Sequence, residues 1–314
     1  MSKAKVLVTG GAGFIGSHVG ECFMGQGFDV RVLDDLSTGF AHNCDPSWEL
    51  LREDVRDPAA VAAAVAGCEA VVHLAAFTSV PESFECFADC YRVNVLGTYN
   101  VLRACADAGV RKLVFASSSA VYAELPDAPK SEADCPDPIS PYAVSKLEGE
   151  HLLELFGEIH GVASVALRFF NVYGPRQPAD SAYAAAVPIF MERGLRGEPL
   201  TVYGDGRQTR DFVFVGDVAE AVYEAARSDG TGVFNVGTGT EIQILELADL
   251  ISELTGRAAE HRFEPLRPGD LRSSTADIGH MRAGLGWSSR RGLQDGLLET
   301  LKWYRERLGG PAGS

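Results

Sequence analysis

Short apolar runs recur through the first half of the chain, and longer runs of helical period separate them. KVLVTG (5–10), DVRVLD (29–34), WELLRED (48–54), AVVHLAA (70–76), KLVFASS (112–118) and SVALRFF (164–170) all predict strands buried on both faces. Between them, 14–25, 58–66, 92–108 and 142–160 predict helices. Strand and helix in alternation imply right-handed crossovers and a parallel sheet covered on both sides, an α/β Rossmann-like doubly wound fold. After residue 171 the rhythm loosens: a helix near 182–195, LTVYG, RDFVFV, a helix at 216–227, VFNVG at 232–237, a helix at 244–255, a strand near 260–264 and a last helix at 291–307. This predicts a larger domain from 1–170 with about 212–240 returning to it, and a smaller C-terminal α/β lobe from 171–211 and 241–314.

The first strand runs into VTGGAGFIGSH, where Gly10, Gly13 and Gly16 are spaced GxxGxxG. In that place the first glycine permits a tight turn, the second lets backbone approach a pyrophosphate, and the third lets helix pack on strand. The helix N-terminus then offers free N–H groups to phosphate. Asp34 ends the second strand, where a carboxylate holds both ribose hydroxyls of an adenosine and repels the 2′-phosphate of NADP, so NAD is favoured. Asp35 is its neighbour and a second candidate for that role. Asp54 ends the third strand and is placed to meet the adenine; Ala75 and Ala76 are small enough to let a cofactor lie close. Phe14, Ile15, Val55 and Leu74 adjoin these positions and are counted with the cofactor residues.

Charge narrows the partners. With 28 basic and 43 acidic residues the net charge is −15, which repels nucleic-acid backbones and anionic lipid, so neither nucleic acid nor membrane is expected. The start, MSKAKVLVTGG, reads as a strand rather than a signal peptide. Seven scattered cysteines fit reduced thiols in a cytoplasmic protein, with Cys86 and Cys90 packing as thiols and no metal expected.

Ser118 ends the fifth strand, and the carboxyl ends of strands are where an open α/β sheet binds ligands. Tyr142 and Lys146 stand four apart and project from one helix face. An ammonium near a phenol favours the phenolate, as does the positive nicotinamide of NAD⁺, which predicts a Tyr142 pKa drawn from about 10 toward neutrality and a general base for an alcohol. Ser118 would hold the same oxygen and shuttle its proton.

TGGAGFIG, DDLSTG, HLAAFTSVPES, SSSAVY, YAVSK and NVYGPRQ together resemble the extended short-chain dehydrogenase/reductases, and more narrowly the nucleotide-sugar 4-epimerases of the UDP-glucose 4-epimerase type. The resemblance covers the chain to about residue 305 and implies Ser118, Tyr142 and Lys146 as the catalytic triad. One departure is Ala123, where a glycine usually follows VY. Related dehydratases place Asp–Glu directly after the hydroxyl, and related decarboxylases a Glu two positions on; here stand Ser119 and Ala120, so oxidation with return of the same hydride is favoured. The resemblance also implies Arg210 and Arg267 as diphosphate clamps, Asp270 as a ribose ligand, Asn171 at the diphosphate, and Val187, Thr201 and Tyr203 around the uracil. Val80 and Ser119 are counted with the sugar site. Ser274, four residues after Asp270, falls where the family gates the size of the C2 substituent, which predicts that an N-acetyl sugar is admitted.

The expected function is therefore an NAD-dependent UDP-hexose 4-epimerase, with UDP-glucose and UDP-galactose favoured and the N-acetyl sugars or uronates as alternatives. A uronate needs a cation near C6, and beyond Arg176 the loop GPRQPADSAYA has no basic residue. A net dehydrogenase and a non-catalytic NAD-binding regulator are the other readings; an intact triad weighs against the regulator. The helices at 92–108 and 142–160 would form the family's homodimer face.

Overall fold

The computed structural model describes residues 3–122, 129–179, 185–257, 260–266 and 272–309. Six strands appear where the apolar runs predict them: β1 (Lys5–Thr9), β2 (Asp29–Leu33), β3 (Glu49–Leu51), β4 (Ala70–His73), β5 (Lys112–Ser118) and β6 (Ser164–Phe169). With the edge strand Gly232–Val236 they form one seven-stranded sheet in the order Gly232–Val236, β6, β5, β4, β1, β2, β3, every pairing parallel. The strand order reverses between β1 and β4, and the open crevice of such a sheet lies at that switch point. Successive β1 side chains go to opposite faces: Val6 and Val8 pack under helix α1 (Phe14–Gly25) and helix Val215–Arg227, while Leu7 packs with Val61, Leu102 and Leu113.

Two predicted strands are shorter than their apolar runs, for local reasons. β4 stops at His73 because Leu74 and Ala75 turn over the end of β1, where their N–H groups donate to the Thr9 carbonyl (3.1 Å) and Thr9 Oγ1 (3.2 Å). β3 keeps only three residues because it is an edge strand with β2 as its one neighbour, and the polar 52–54 follow. The helix predicted at 92–108 is wound as a π-helix over Arg92–Leu96 before the regular Gly97–Ala108. Short helices at Val80–Glu85, Phe87–Tyr91 and Gly279–Leu285 fall outside the predicted set.

The second half is partly interleaved with the first. Phe212–Phe214 pairs with Asn171–Tyr173, and Leu200–Tyr203 with His261–Glu264, over a core containing Val187, Phe190, Val202 and Leu247. The helix predicted near 182–195 is Ala186–Arg196. Among the described residues, no helix is long and apolar enough to cross a membrane. Cys86 is exposed and Cys90 buried, one helical turn apart, with the Cys90 N–H donating to the Cys86 carbonyl (3.0 Å).

The long helix Pro141–His160 lies across β5 and β6. Glu150 on its inner face receives Arg168 of β6 through Nε (2.9 Å) and Nη2 (2.7 Å), and also the Ser117 hydroxyl. Both charged side chains are 4 % exposed. Removing one member of such a pair strands the other charge in a desolvated site. Arg168→Met should therefore lose about 3–5 kcal/mol of unfolding free energy in urea denaturation; a loss below about 1 kcal/mol, typical of an exposed pair, would reject the pair's structural role.

Candidate active site

A cleft of about 1600 Å³ opens at the switch point and continues between the sheet and the second lobe. Its walls carry Gly10, Gly13, Phe14, Ile15, Gly16, Asp34, Asp35, Asp54, Val55, Leu74, Ala75 and Ala76 on one side. They also carry Val80, Ser118, Tyr142, Lys146, Asn171, Val187, Thr201, Tyr203 and Arg210. Residues from Gly10 to Arg210 thus meet in one cavity. Arg267 and Asp270 lie outside the described residues, as does Ala123.

Two predicted residues are not brought to the wall. Ser119 begins the 3₁₀ turn Ser119–Val121, and its carbonyl accepts the Tyr122 N–H (3.1 Å). Ser274 is 5 % exposed behind Asp211, whose N–H its carbonyl accepts (2.9 Å). It does not line the cleft, whose described walls place no size gate at that residue.

The glycine turn separates fold-imposed glycines from one that is not. Gly10 has φ of 69°, and a Cβ there would sit 2.7 Å from the Ala75 nitrogen. A Cβ on Gly16 would collide with the Gly10 carbonyl, so both must be bare for α1 to pack. Gly13 has an ordinary φ of −78°, and a Cβ there would meet only the Gly10 carbonyl, at 3.2 Å. The fold opposes a Cβ there far less than at Gly10 or Gly16, and its absence leaves the backbone open to a ligand. The first turn of α1 has no acidic residue and no side-chain cap, which leaves its N–H groups to an anion. These features fit a dinucleotide pyrophosphate.

Asp34 is 7 % exposed, with Oδ1 accepting from Leu36 N–H and Oδ2 from Ala12 N–H, both at 2.9 Å. Burial pushes its carboxyl above the usual range and the two backbone bonds oppose that. Each oxygen keeps one lone pair for a ribose hydroxyl. Asp35 is exposed and turned onto Ser37 N and Oγ (2.9 and 2.6 Å), so Asp34 is the better placed of the two. Asp54 is gripped by Arg56, which holds its pKa low.

The chemistry sits where β5 meets the long helix. Ser140 caps that helix, its Oγ accepting the Ala143 N–H (3.1 Å), and Pro141 takes the first position. Tyr142 and Lys146 then project one turn apart. The Ser118 side chain lies near enough to the Tyr142 phenol to favour its ionised form. Lys146 Nζ donates to the Ala116 carbonyl (2.8 Å) and lies 5.8 Å from the Tyr142 ring centroid.

The titration differs from expectation. Burial pushes the Tyr142 phenol up, opposed by the Ser118 side chain, while burial also pulls Lys146 down to about 8. Desolvation is the largest influence on both groups, so in the protein alone the phenol is not drawn toward neutrality.

Several wall residues lie beyond those expected from the sequence: Ser37 and Thr38 in DDLSTG, Thr78 and Ser79 in HLAAFTSVPES, and also Phe40 and Arg193. The first four stand inside the motifs that carry the resemblance, where the signal lay; Phe40 and Arg193 have no local signal.

Residues 6–237 match the NAD dependent epimerase/dehydratase family. The UDP-glucose 4-epimerase of Mycolicibacterium smegmatis is 38 % identical, covering 96 % of this chain and 99 % of that one. Among solved structures, the Thermotoga maritima UDP-glucose 4-epimerase with UDP-glucose superposes with a TM-score of 0.94 at 37 % identity, over 97 % of this chain and 99 % of that one. The Thermus thermophilus UDP-glucose 4-epimerase with NAD gives 0.90 at 42 % identity, over 96 % and 99 %. With a dinucleotide turn, a Ser–Tyr–Lys cluster in the same cleft and similarity along its length, this chain belongs to the NAD-dependent epimerase/dehydratase family.

Proposed function

We propose that the protein is an NAD-dependent UDP-sugar 4-epimerase acting on UDP-glucose and UDP-galactose. The observation that carries this reading is the meeting of Ser118, Tyr142 and Lys146 in the cleft that also holds the glycine turn and Asp34, with no carboxylate following Ser118. Bound NAD supplies the hydride acceptor at C4, the donor that returns the hydride to the other face, and in its oxidised form a positive charge. Tyr142 Oη takes the proton of the C4 hydroxyl and later gives it back. Ser118 Oγ holds that oxygen and passes the proton, and Lys146 orients the pair from the Ala116 carbonyl. Without an acid beside Ser118, proton removal from the sugar carbons for elimination has no agent.

On this reading 1–170 with about 212–240 carries the cofactor, and 171–211 with 241–314 the nucleotide. Arg210 and Arg267 grip the diphosphate, Asn171 approaches it, Asp270 holds the ribose, and Val187, Thr201 and Tyr203 enclose the uracil. A neutral sugar fits better than a uronate because Arg176, the one cation of its loop, is ion-paired with Glu21 of α1. A second copy of this chain is the partner that best fits the apolar face of the helices flanking the site. Phe84, Phe87, Tyr99, Leu155 and Ile159 are 61, 53, 43, 47 and 64 % exposed there, on a chain otherwise strongly acidic.

Three measurements test this. The purified protein should release NAD rather than NADP, and in a panel of UDP-glucose, UDP-N-acetylglucosamine and UDP-glucuronate it should interconvert UDP-glucose and UDP-galactose fastest; bound NAD with no turnover of any sugar supports the regulator instead. Tyr142→Phe should retain NAD and lower kcat by at least ~100-fold, the scale of general-base catalysis, and near-normal turnover would remove Tyr142 from the mechanism. Sedimentation should give a dimer; a monomer at micromolar concentration, the affinity class of a weak contact, would count against the helix face.

A further inference from the structure

The strand AVVHLAA places a histidine among apolar residues, and the reaction as described does not use it. His73 ends β4 directly beside Thr9, which ends β1, and it is 1 % exposed. Its Nδ1 lies 2.7 Å from Thr9 Oγ1 and its Nε2 lies 3.0 Å from Thr98 Oγ1.

The partners determine where the ring proton sits. Thr98 Oγ1 donates its single proton to the Asn94 carbonyl (2.5 Å), so toward His73 it can only accept. Nε2 therefore carries the proton. Nδ1 of the neutral ring is then an acceptor and takes the Thr9 hydroxyl, and Thr9 Oγ1 in turn accepts the Ala75 N–H (3.2 Å). Every hydrogen bond from Ala75 to Asn94 points the same way.

Both ends of this chain reach the site. Thr9 and Ala75 frame Gly10, the glycine that starts the cofactor turn. Asn94, in the π-wound segment, brackets Phe77 by accepting its N–H (2.7 Å) and donating to its carbonyl (3.1 Å). Asn94 Nδ2 also donates to Ser145 Oγ (2.9 Å), which donates to the carbonyl of Tyr142 (2.7 Å). The glycine turn and the helix that presents Tyr142 are thus joined through one imidazole. Each regular element along this path changes where the chain of bonds needs it: β4 ends at His73, and the helix widens into a π-turn at Asn94.

We propose that His73 is a positioning residue for the hydride-transfer site, a neutral, Nε2-protonated imidazole that holds the cofactor turn and the Tyr142 helix at a set separation. The assignment rests on the reading of Tyr142 and the NAD cleft given above. Burial, with the charge of Lys146 adding to it, pulls the imidazolium pKa down to about 3, which keeps the ring neutral at physiological pH. A second ring proton on Nδ1 would leave Thr9 facing donors from both His73 and Ala75, with its own proton displaced.

The test has two arms. Long-range ¹H–¹⁵N correlation spectra of the wild-type holoenzyme at pH 7 should show His73 as the Nε2–H tautomer; the Nδ1–H tautomer or an imidazolium overturns the proposal whatever the variants do. Thr98→Val keeps the side-chain shape and deletes the acceptor. It should lower kcat and NAD⁺ affinity each by about tenfold while KM for UDP-glucose changes by less than about twofold, and Thr98→Ser should restore both to within about threefold of wild type, the scale of one hydrogen bond. Wild-type kcat and NAD⁺ affinity in Thr98→Val, or a rise confined to KM, overturns it. The tautomer and the NAD⁺ affinity are read without turnover, so a failure of the epimerase reading does not remove the test.

Discussion

The site depends on how closely the helix Pro141–His160 can lie on β5. Gly149 makes that approach possible: a Cβ there would come within 2.5 Å of Phe115 Cζ, in the middle of the contact. Because the helix is so near, Lys146 Nζ reaches the Ala116 carbonyl and stands 5.1 Å over the Phe115 ring, and Tyr142 reaches Ser118. A rigid contact of this kind sets the geometry of reacting groups to within a fraction of an ångström, which side-chain flexibility could not.

Close packing also brings a desolvation cost, and the interior meets it with polar partners. Glu150 is matched by Arg168 and Ser117, and Tyr122 lies 4.7 Å under the Arg168 guanidinium while donating to Asn235 Oδ1 (2.7 Å). These groups form a polar layer under the Ser118 turn. The same desolvation raises the Tyr142 phenol and lowers Lys146, so the isolated pair is less polarised than its spacing implies. A positive charge arriving in the cleft would act on groups already short of water, where charge–charge interactions are stronger than at the surface.

The second lobe answers a different constraint. A chain of net charge −15 must gather anionic ligands against its own field, and it lines the cleft with arginines such as Arg210 and Arg193. The segment that carries Arg210 leads directly into Phe212–Phe214 and the helix Val215–Arg227, which packs on α1. The stretch that carries Arg210 into the cleft is therefore tied, through that helix, to the element that follows the glycine turn.

Much of this was legible in the sequence because it rests on local rules. Apolar runs buried on both faces of a parallel sheet mark β1, β2, β4, β5 and β6; the glycine spacing and the strand-end Asp34 mark the dinucleotide turn; and the four-residue step from Tyr142 to Lys146 can be read as one helix face. What only the tertiary structure decided involves contacts between residues far apart in the chain. Asp34 rather than Asp35 faces inward because Ala12 and Leu36 hold it there, and Arg176 is spent on Glu21. Ser274 falls behind Asp211, and the pKa values of Tyr142 and Lys146 follow from how much water the fold removes. His73, Thr9 and Thr98 read in sequence as polar residues interrupting apolar elements; only their juxtaposition, which depends on strand register and on one π-wound turn, makes them a single chain of hydrogen bonds.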